Sequence, residues 1–140
     1  GSNSGGAVLR QFFDDDQMKR LTFRLHPEHP TGLGYYPLPG PGERFPFNAP
    51  DMAPRLTPRP DDPAVFFQGL LEGIAAVEAA AYRRLAALGA PYPASVRSVG
   101  GGARNPCWTR IRRRLLGVPV DRPNHGEAAY GTALLALRGA

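Results

Sequence analysis

Cysteine is almost missing from this chain, with Cys107 alone among 140 residues. That excludes an internal disulfide and a zinc site built on cysteine pairs, and it suits a reducing compartment. Long apolar runs are missing as well. No stretch approaches the roughly 18 residues a membrane span requires, and no basic segment leads into an apolar one as in a secretory signal. The expectation is a cytoplasmic protein without membrane contact. Histidine is scarce, and His26 and His29 in a proline-rich stretch make a poor metal site. The run Asp14-Asp15-Asp16 fits a solvated helix end better than a metal site, and His125 with Glu127 fits a helix start better than a catalytic pair.

Charge is unbalanced, with a formal net of +5 and a pI near 10.0. The densest basic cluster is Arg110, Arg112, Arg113 and Arg114, on a helix that also carries Trp108, Ile111 and Leu115. No aromatics are interleaved to stack bases, so the cluster is expected to be a solvated or partner-facing surface rather than a nucleic-acid site. A hydrophobic fraction of 42% is that of an ordinary globular protein, and 140 residues suffice for one core. Gly1-Ser2 looks like a remnant of tag removal.

Val8, Leu9, Phe12, Phe13 and Met18 recur at helical spacing within residues 5–20, with a break expected near the Asp14–Asp16 run. Leu21 to Leu25 extends that helix or forms a brief strand. Eleven of the 16 prolines fall between Pro27 and Pro63, which forbids a long helix there. Tyr35, Tyr36, Leu38, Phe45 and Phe47 call for burial, so 27–62 is expected to be an ordered loop packed on the body. Asp62-Pro63 marks a helix start. Phe67, Leu70, Leu71, Ile74, Val77, Ala81, Leu85 and Leu88 continue it to a stop at Gly89. Short strands are expected at Val96–Val99 and Val118–Val120. Asn105-Pro106 starts a helix that ends at Gly117, and Asn124 with Glu127 forms a capping box for another. The C-terminal half thus alternates helix, strand, helix, strand, helix.

Between the first strand and its helix stands Ser98-Val99-Gly100-Gly101-Gly102-Ala103-Arg104-Asn105-Pro106-Cys107-Trp108. Glycines admit positive φ and let a ligand approach the main chain, and a helix start offers unpaired amides and a positive dipole end. A nucleotide contact and a plain tight turn are both open on these local grounds. The stretch is neither a Walker loop nor a dinucleotide fingerprint, whose last glycine falls here on Asn105.

The segments GLLEGIAAVEAAAYRRLAALGAPYP, VGGGARNPCWTRIRRRLLGVPV and HGEAAYGTALLA resemble the C-terminal part of the FGGY carbohydrate kinases, and most of all the D-ribulose/xylulose-kinase-like branch. SNSGGAVLRQFF and GYYPLPGPGERFPF fit the same branch. The resemblance implies an α/β fold: the C-terminal portion of an actin-like ATPase (ribonuclease H-like) domain, helix-rich with few short strands. Such kinases transfer the γ-phosphoryl group of Mg-ATP to a sugar hydroxyl in a cleft between two domains. It places Gly101, Gly102 and Ala103 against the nucleotide and Asn105 near the adenine. Gly6 and Arg10 become a second nucleotide-facing segment, and Glu127, Ala128 and Ala129 start a structural closing helix.

The catalytic aspartate, the phosphate turns and the Mg²⁺ ligands have no counterpart in residues 1–140. The chain is therefore expected to be a single partial domain, silent in catalysis by itself. Its partners would be ATP or ADP, with the sugar bound mainly by a missing N-terminal domain and no nucleic acid. Exposed apolar helix surface would favour pairing into a homodimer. The alternative is a non-catalytic interaction module that uses the basic helix and the proline-rich loop.

Overall fold

Asp62-Pro63 starts the helix on which everything else is arranged. The Asp62 side chain accepts from the Ala64 amide at 2.9 Å, and Pro63 occupies the first helical position, where no amide donor is needed. This computed structural model describes residues 1–122 and 128–139. In chain order it holds α1 (Gly6–Leu9), α2 (Asp15–Thr22), α3 (Pro63–Ala87), β1 (Val96–Arg97), a 3₁₀ turn (Gly101–Arg104), α4 (Pro106–Leu116), β2 (Val120–Asp121) and α5 (Ala128–Gly139). Helix α3 ends in a paired motif, with Gly89 N–H donating to Ala86 O and Ala90 N–H to Leu85 O. Gly89 adopts φ +98°, the left-handed geometry such an ending requires.

Against the expectation that no stretch is long and apolar enough for a membrane span, α3 is so by length and composition, because its alanines and glycines dilute the apolar side chains without adding charge. Here most of its apolar side chains are covered by the chain itself, Val65 and Leu85 staying exposed. Phe66, Phe67, Leu70 and Leu71 form the main core with Phe13, Leu21, Leu25, Tyr35 and Ile111. The rings of Phe12, Phe13 and Tyr35 meet Phe66 at 5.1, 6.1 and 5.8 Å. A smaller cluster joins Ala79 to Val96, Leu116 and Val120.

The acidic run does not end a helix but begins one. Asp14 caps α2 through a reciprocal box with Gln17, leaving Asp15 and Asp16 exposed in the first turn, where carboxylates meet the positive end of the helix. The chain stays helical through Thr22, so Leu21–Leu25 contributes no strand.

Between Pro27 and Asp62 the chain is extended and bent, held by two isolated antiparallel bridges, Tyr36 with Arg55 and Glu43 with Ala49. It lies directly on the backbone of α3. A Cβ added at Gly69 would sit 2.7 Å from Leu33 Cδ1, and one at Gly73 would sit 2.8 Å from both the Tyr35 carbonyl and Pro37 Cδ. Tyr35, Pro37 and Leu38 are buried as a result, and Phe45 is half-buried. Phe47, expected to be buried, is about half exposed; its neighbour Pro46 turns inward instead. Under the segment, Glu43 is 1% exposed yet fully satisfied. It accepts from the Ser2 and Tyr36 hydroxyls at 2.6 and 2.8 Å, and from the Asn3 and Arg44 amides at 2.7 and 2.9 Å. Ser2, read above as a tag remnant, is thus part of the fold.

The sheet is a single parallel pair with Val96 opposite Val120 and Arg97 opposite Asp121. Both strands are shifted from their expected limits. Pairing on β1 stops after Ser98 N–H donates to Asp121 O, because Gly100 at φ +81° turns the chain away. On β2, Pro119 has no N–H and contributes only its carbonyl, to Val96, so the paired residues begin at Val120. The capping box expected at Asn124 and Glu127 lies outside the described residues. On α5, Leu134, Leu135 and Leu137 are exposed.

Two measurements test this packing. Helix propensity favours alanine over glycine by about 1 kcal/mol, but overpacking costs about 1–3 kcal/mol. Gly73→Ala, with backbone and ring atoms in the way, is expected to lower thermal stability rather than raise it. The second concerns pH. Burial alone would raise the Glu43 carboxyl, but its hydrogen bonds from Ser2, Asn3, Tyr36 and Arg44 hold it below its ordinary 4.5. Stability from this network is present above that value and is lost as the pH falls through the lower folded one. Glu43→Gln should lower stability at neutral pH and flatten the acid side of an unfolding series between pH about 5 and 2.

Candidate functional site

The strand–turn–helix unit from Val96 to Leu116 gathers four of the six candidate residues: Gly101, Gly102, Ala103 and Asn105. Of the three glycines only Gly100 has positive φ, so the conformational need is met at one position. Gly101 and Gly102 lie in the 3₁₀ turn and are exposed. A Cβ at Gly100 or Gly101 would meet nothing within 4 Å, whereas one at Gly102 would lie 3.2 Å from Trp108 Nε1. The turn therefore offers a strip of bare main chain, open above Gly100 and Gly101 and closed below Gly102 by an indole. Such a strip accepts a flat group at close range.

The helix start is less available than a sequence view suggests. Pro106 has no N–H, Asn105 Oδ1 accepts from Trp108 N–H at 3.1 Å, and Thr109 N–H donates to the Asn105 carbonyl. The amides counted on for an anion are largely spent within α4 itself, so the place suits a neutral planar group better than a phosphate. Asn105 is also committed on its other side, donating through Nδ2 to Thr22 Oγ1 at 3.1 Å. Its cap role is as expected; its side chain is directed toward α2, which leaves one amide proton for any ligand.

Gly6 and Arg10 stand apart from this group. Gly6 begins α1, a helix of only four residues, and is exposed with open space around it. Arg10 is exposed too, 3.9 Å from Asp15 across solvent. Among the described residues no hydrogen bond joins this segment to the glycine turn. A broad open depression of about 810 Å³, lined by Arg24, His26, His29, Thr31, Asp62 and Gln68 among others, likewise shares no residue with the turn.

Residues around the turn that sequence reasoning missed do much of the shaping. Ala103 is buried, and its carbonyl accepts from Arg122 Nε at 2.6 Å. Arg112, placed above in a solvated basic face, is buried instead. It forms a two-point pair with Glu78 at 2.7 Å in both contacts, donates to Ser98 Oγ, and lies 5.7 Å from the Trp108 ring. Arg114 donates to Glu72 at 2.8 Å and to the Pro27 carbonyl at 3.0 Å, and Arg113 to Asp121 and the Val120 carbonyl. Arg112 and Arg114 are thus internal staples to α3 and the proline-rich segment, while Arg110 and Arg113 remain exposed, Arg113 pairing with Asp121 at the surface.

Among the described residues no group of three His, Cys, Asp or Glu is arranged to hold a metal ion, and that includes the three carboxylates of Asp14–Asp16 and the surroundings of His26 and His29. These residues do not fit Mg²⁺. For a nucleoside the fit is better, through the open main chain at Gly100 and Gly101.

A parallel strand pair joined by a glycine turn and a helix, followed by a further helix, is an α/β arrangement. The chain matches the FGGY family of carbohydrate kinases, C-terminal domain, over residues 4–140, and it belongs to that family. This domain has the actin-like ATPase fold, and the family's members are ATP-dependent transferases that act on sugars with ATP and Mg²⁺.

Two substitutions separate a ligand surface from a turn. Gly101→Val adds a side chain into open space and should leave the melting temperature within about 2 °C while weakening ADP binding at least about fivefold. Gly102→Val must displace Trp108 and should lower the melting temperature as well. Equal ADP affinity in wild type and Gly101→Val, measured by calorimetry, would reduce the site to a turn.

Proposed function

We propose that this chain holds the adenosine part of ATP in a cytoplasmic carbohydrate kinase of the D-ribulose/xylulose-kinase-like branch, whose acceptor is a ketopentose hydroxyl. The observation that carries the reading is the bare ledge at Gly100 and Gly101, backed by Trp108 and braced by Arg122. Bound ATP would supply the phosphoryl group. This chain's own part is to seat the flat end of the nucleotide: Gly101 and Gly102 through close approach, Ala103 by fixing the turn, and Asn105 by starting α4 with one amide proton to spare. Gly6 and Arg10 form a second, solvent-facing contact in this reading.

In this reading residues 1–140 act as a binding portion, and among the described residues no group of three His, Cys, Asp or Glu is placed to hold a metal ion. The chemistry requires groups from a further domain. The competing view, an interaction module built on the basic helix, has less surface to use, since Arg112 and Arg114 are engaged by Glu78 and Glu72.

Calorimetry of the chain with ADP should give weak but saturable binding. A coupled assay with Mg-ATP and D-ribulose or D-xylulose should give no turnover. Turnover by this chain would refute the division of labour, and absence of any ADP heat at millimolar concentration would refute the adenosine ledge.

A further inference from the structure

A turn of three glycines is poor at keeping its own shape. Glycine has the most backbone freedom to lose, and the turn's own links are two main-chain bonds, Ala103 N–H to Gly100 O and Asn105 N–H to Gly102 O, each at 3.2 Å. A ledge that receives a rigid planar ligand needs a defined shape in advance, since ordering it on binding costs affinity. We propose that Arg112 and Arg122 are positioning residues for the nucleotide ledge, fixing the glycine turn from two separate elements. This rests on the ledge being the adenosine site.

Arg122 follows β2 and places Nε 2.6 Å from the Ala103 carbonyl, so it grips the middle of the 3₁₀ turn by its main chain. Arg112 acts on both ends. Through Nη1 it holds Ser98, two residues before Gly100, and its guanidinium lies over Trp108, the indole that closes the underside of Gly102. Arg112 cannot swing away, because Glu78 occupies Nε and Nη2 at 2.7 Å each. The planar fork is what serves Glu78 and Ser98 together; a lysine ammonium is a single point and cannot span both. Arg114 provides the internal comparison. It lies on the same helix in a similarly covered pair with Glu72, and it touches no residue of the turn.

Trp108 is the only tryptophan in the chain, so its emission reports on one place, where the underside of Gly102 meets the edge of the core. The experiment measures ADP affinity by calorimetry, melting temperature, and Trp108 emission for wild type, Arg122→Met, Arg112→Lys and Arg114→Lys. Arg122 is exposed, so its variant should melt near wild type yet bind ADP about three- to tenfold more weakly. Arg112→Lys should weaken ADP to a similar degree and shift the Trp108 emission of the free protein. Arg114→Lys should lose a comparable amount of thermal stability and keep wild-type ADP affinity and emission. ADP affinity unchanged in both Arg112→Lys and Arg122→Met, or weakened equally in Arg114→Lys, overturns the proposal while leaving the ledge itself standing. No ADP binding by wild type overturns the ledge and the proposal together.

Discussion

The depth at which the proline-rich segment settles on α3 is set by two missing side chains, those of Gly69 and Gly73. With any Cβ there, the Tyr35 carbonyl, Pro37 and Leu33 would have to retreat. At the observed depth Tyr35 reaches the Pro58 carbonyl with its hydroxyl and Phe66 with its ring. The same placement lets Arg59 lie 4.3 Å above the Phe66 ring and brings Tyr36 onto the Glu43 carboxylate. A segment that cannot form helix or sheet is made rigid by being pressed onto one that can. Its remaining polar groups are met by side chains rather than by a ladder: Gln68 alone accepts from His26 N–H and donates to the His26 and His29 carbonyls.

The seating of α4 on α3 is governed by charge. Glu72 and Glu78 draw Arg114 and Arg112 inward, so α4 meets α3 through ion pairs beside the apolar contact of Ile111 with the core. Removing one partner of such a covered pair costs more than the pair itself is worth, because the other charge stays buried. The pairs therefore fix the angular setting of α4 more than they add stability. That setting is inherited by the strand and turn leading into α4.

The sequence announced its helices through caps, and the physical reason is plain: Asp62-Pro63, Asn105-Pro106 and Gly117 act locally, within one turn of where they stand. The same locality explains the errors. The acidic composition of Asp14–Asp16 belongs to a helix start, and the reciprocal bond with Gln17 places it there. Strand limits depended on Gly100 and Pro119, whose effect on pairing needs both strands in view. Arg112 and Arg114 looked solvated because the acids that bind them lie more than 30 residues away. For the ledge, the glycines were visible, while Trp108 beneath them and Arg122 across from them were not. Their roles depend on the fold's closure, not on spacing.

Those distant partners also govern the order of assembly. Asn105 meets Thr22 across 83 residues, Arg114 meets Pro27 across 87, and Asn3 meets Glu43 across 40. The helices can form from local contacts in microseconds, but each of these links waits on closing a long loop. Helical content should then rise first in refolding, with burial around Trp108 lagging behind it. The proline-rich segment, docked on α3 through Leu33, Tyr35 and Pro37, completes the core only when such a loop has closed.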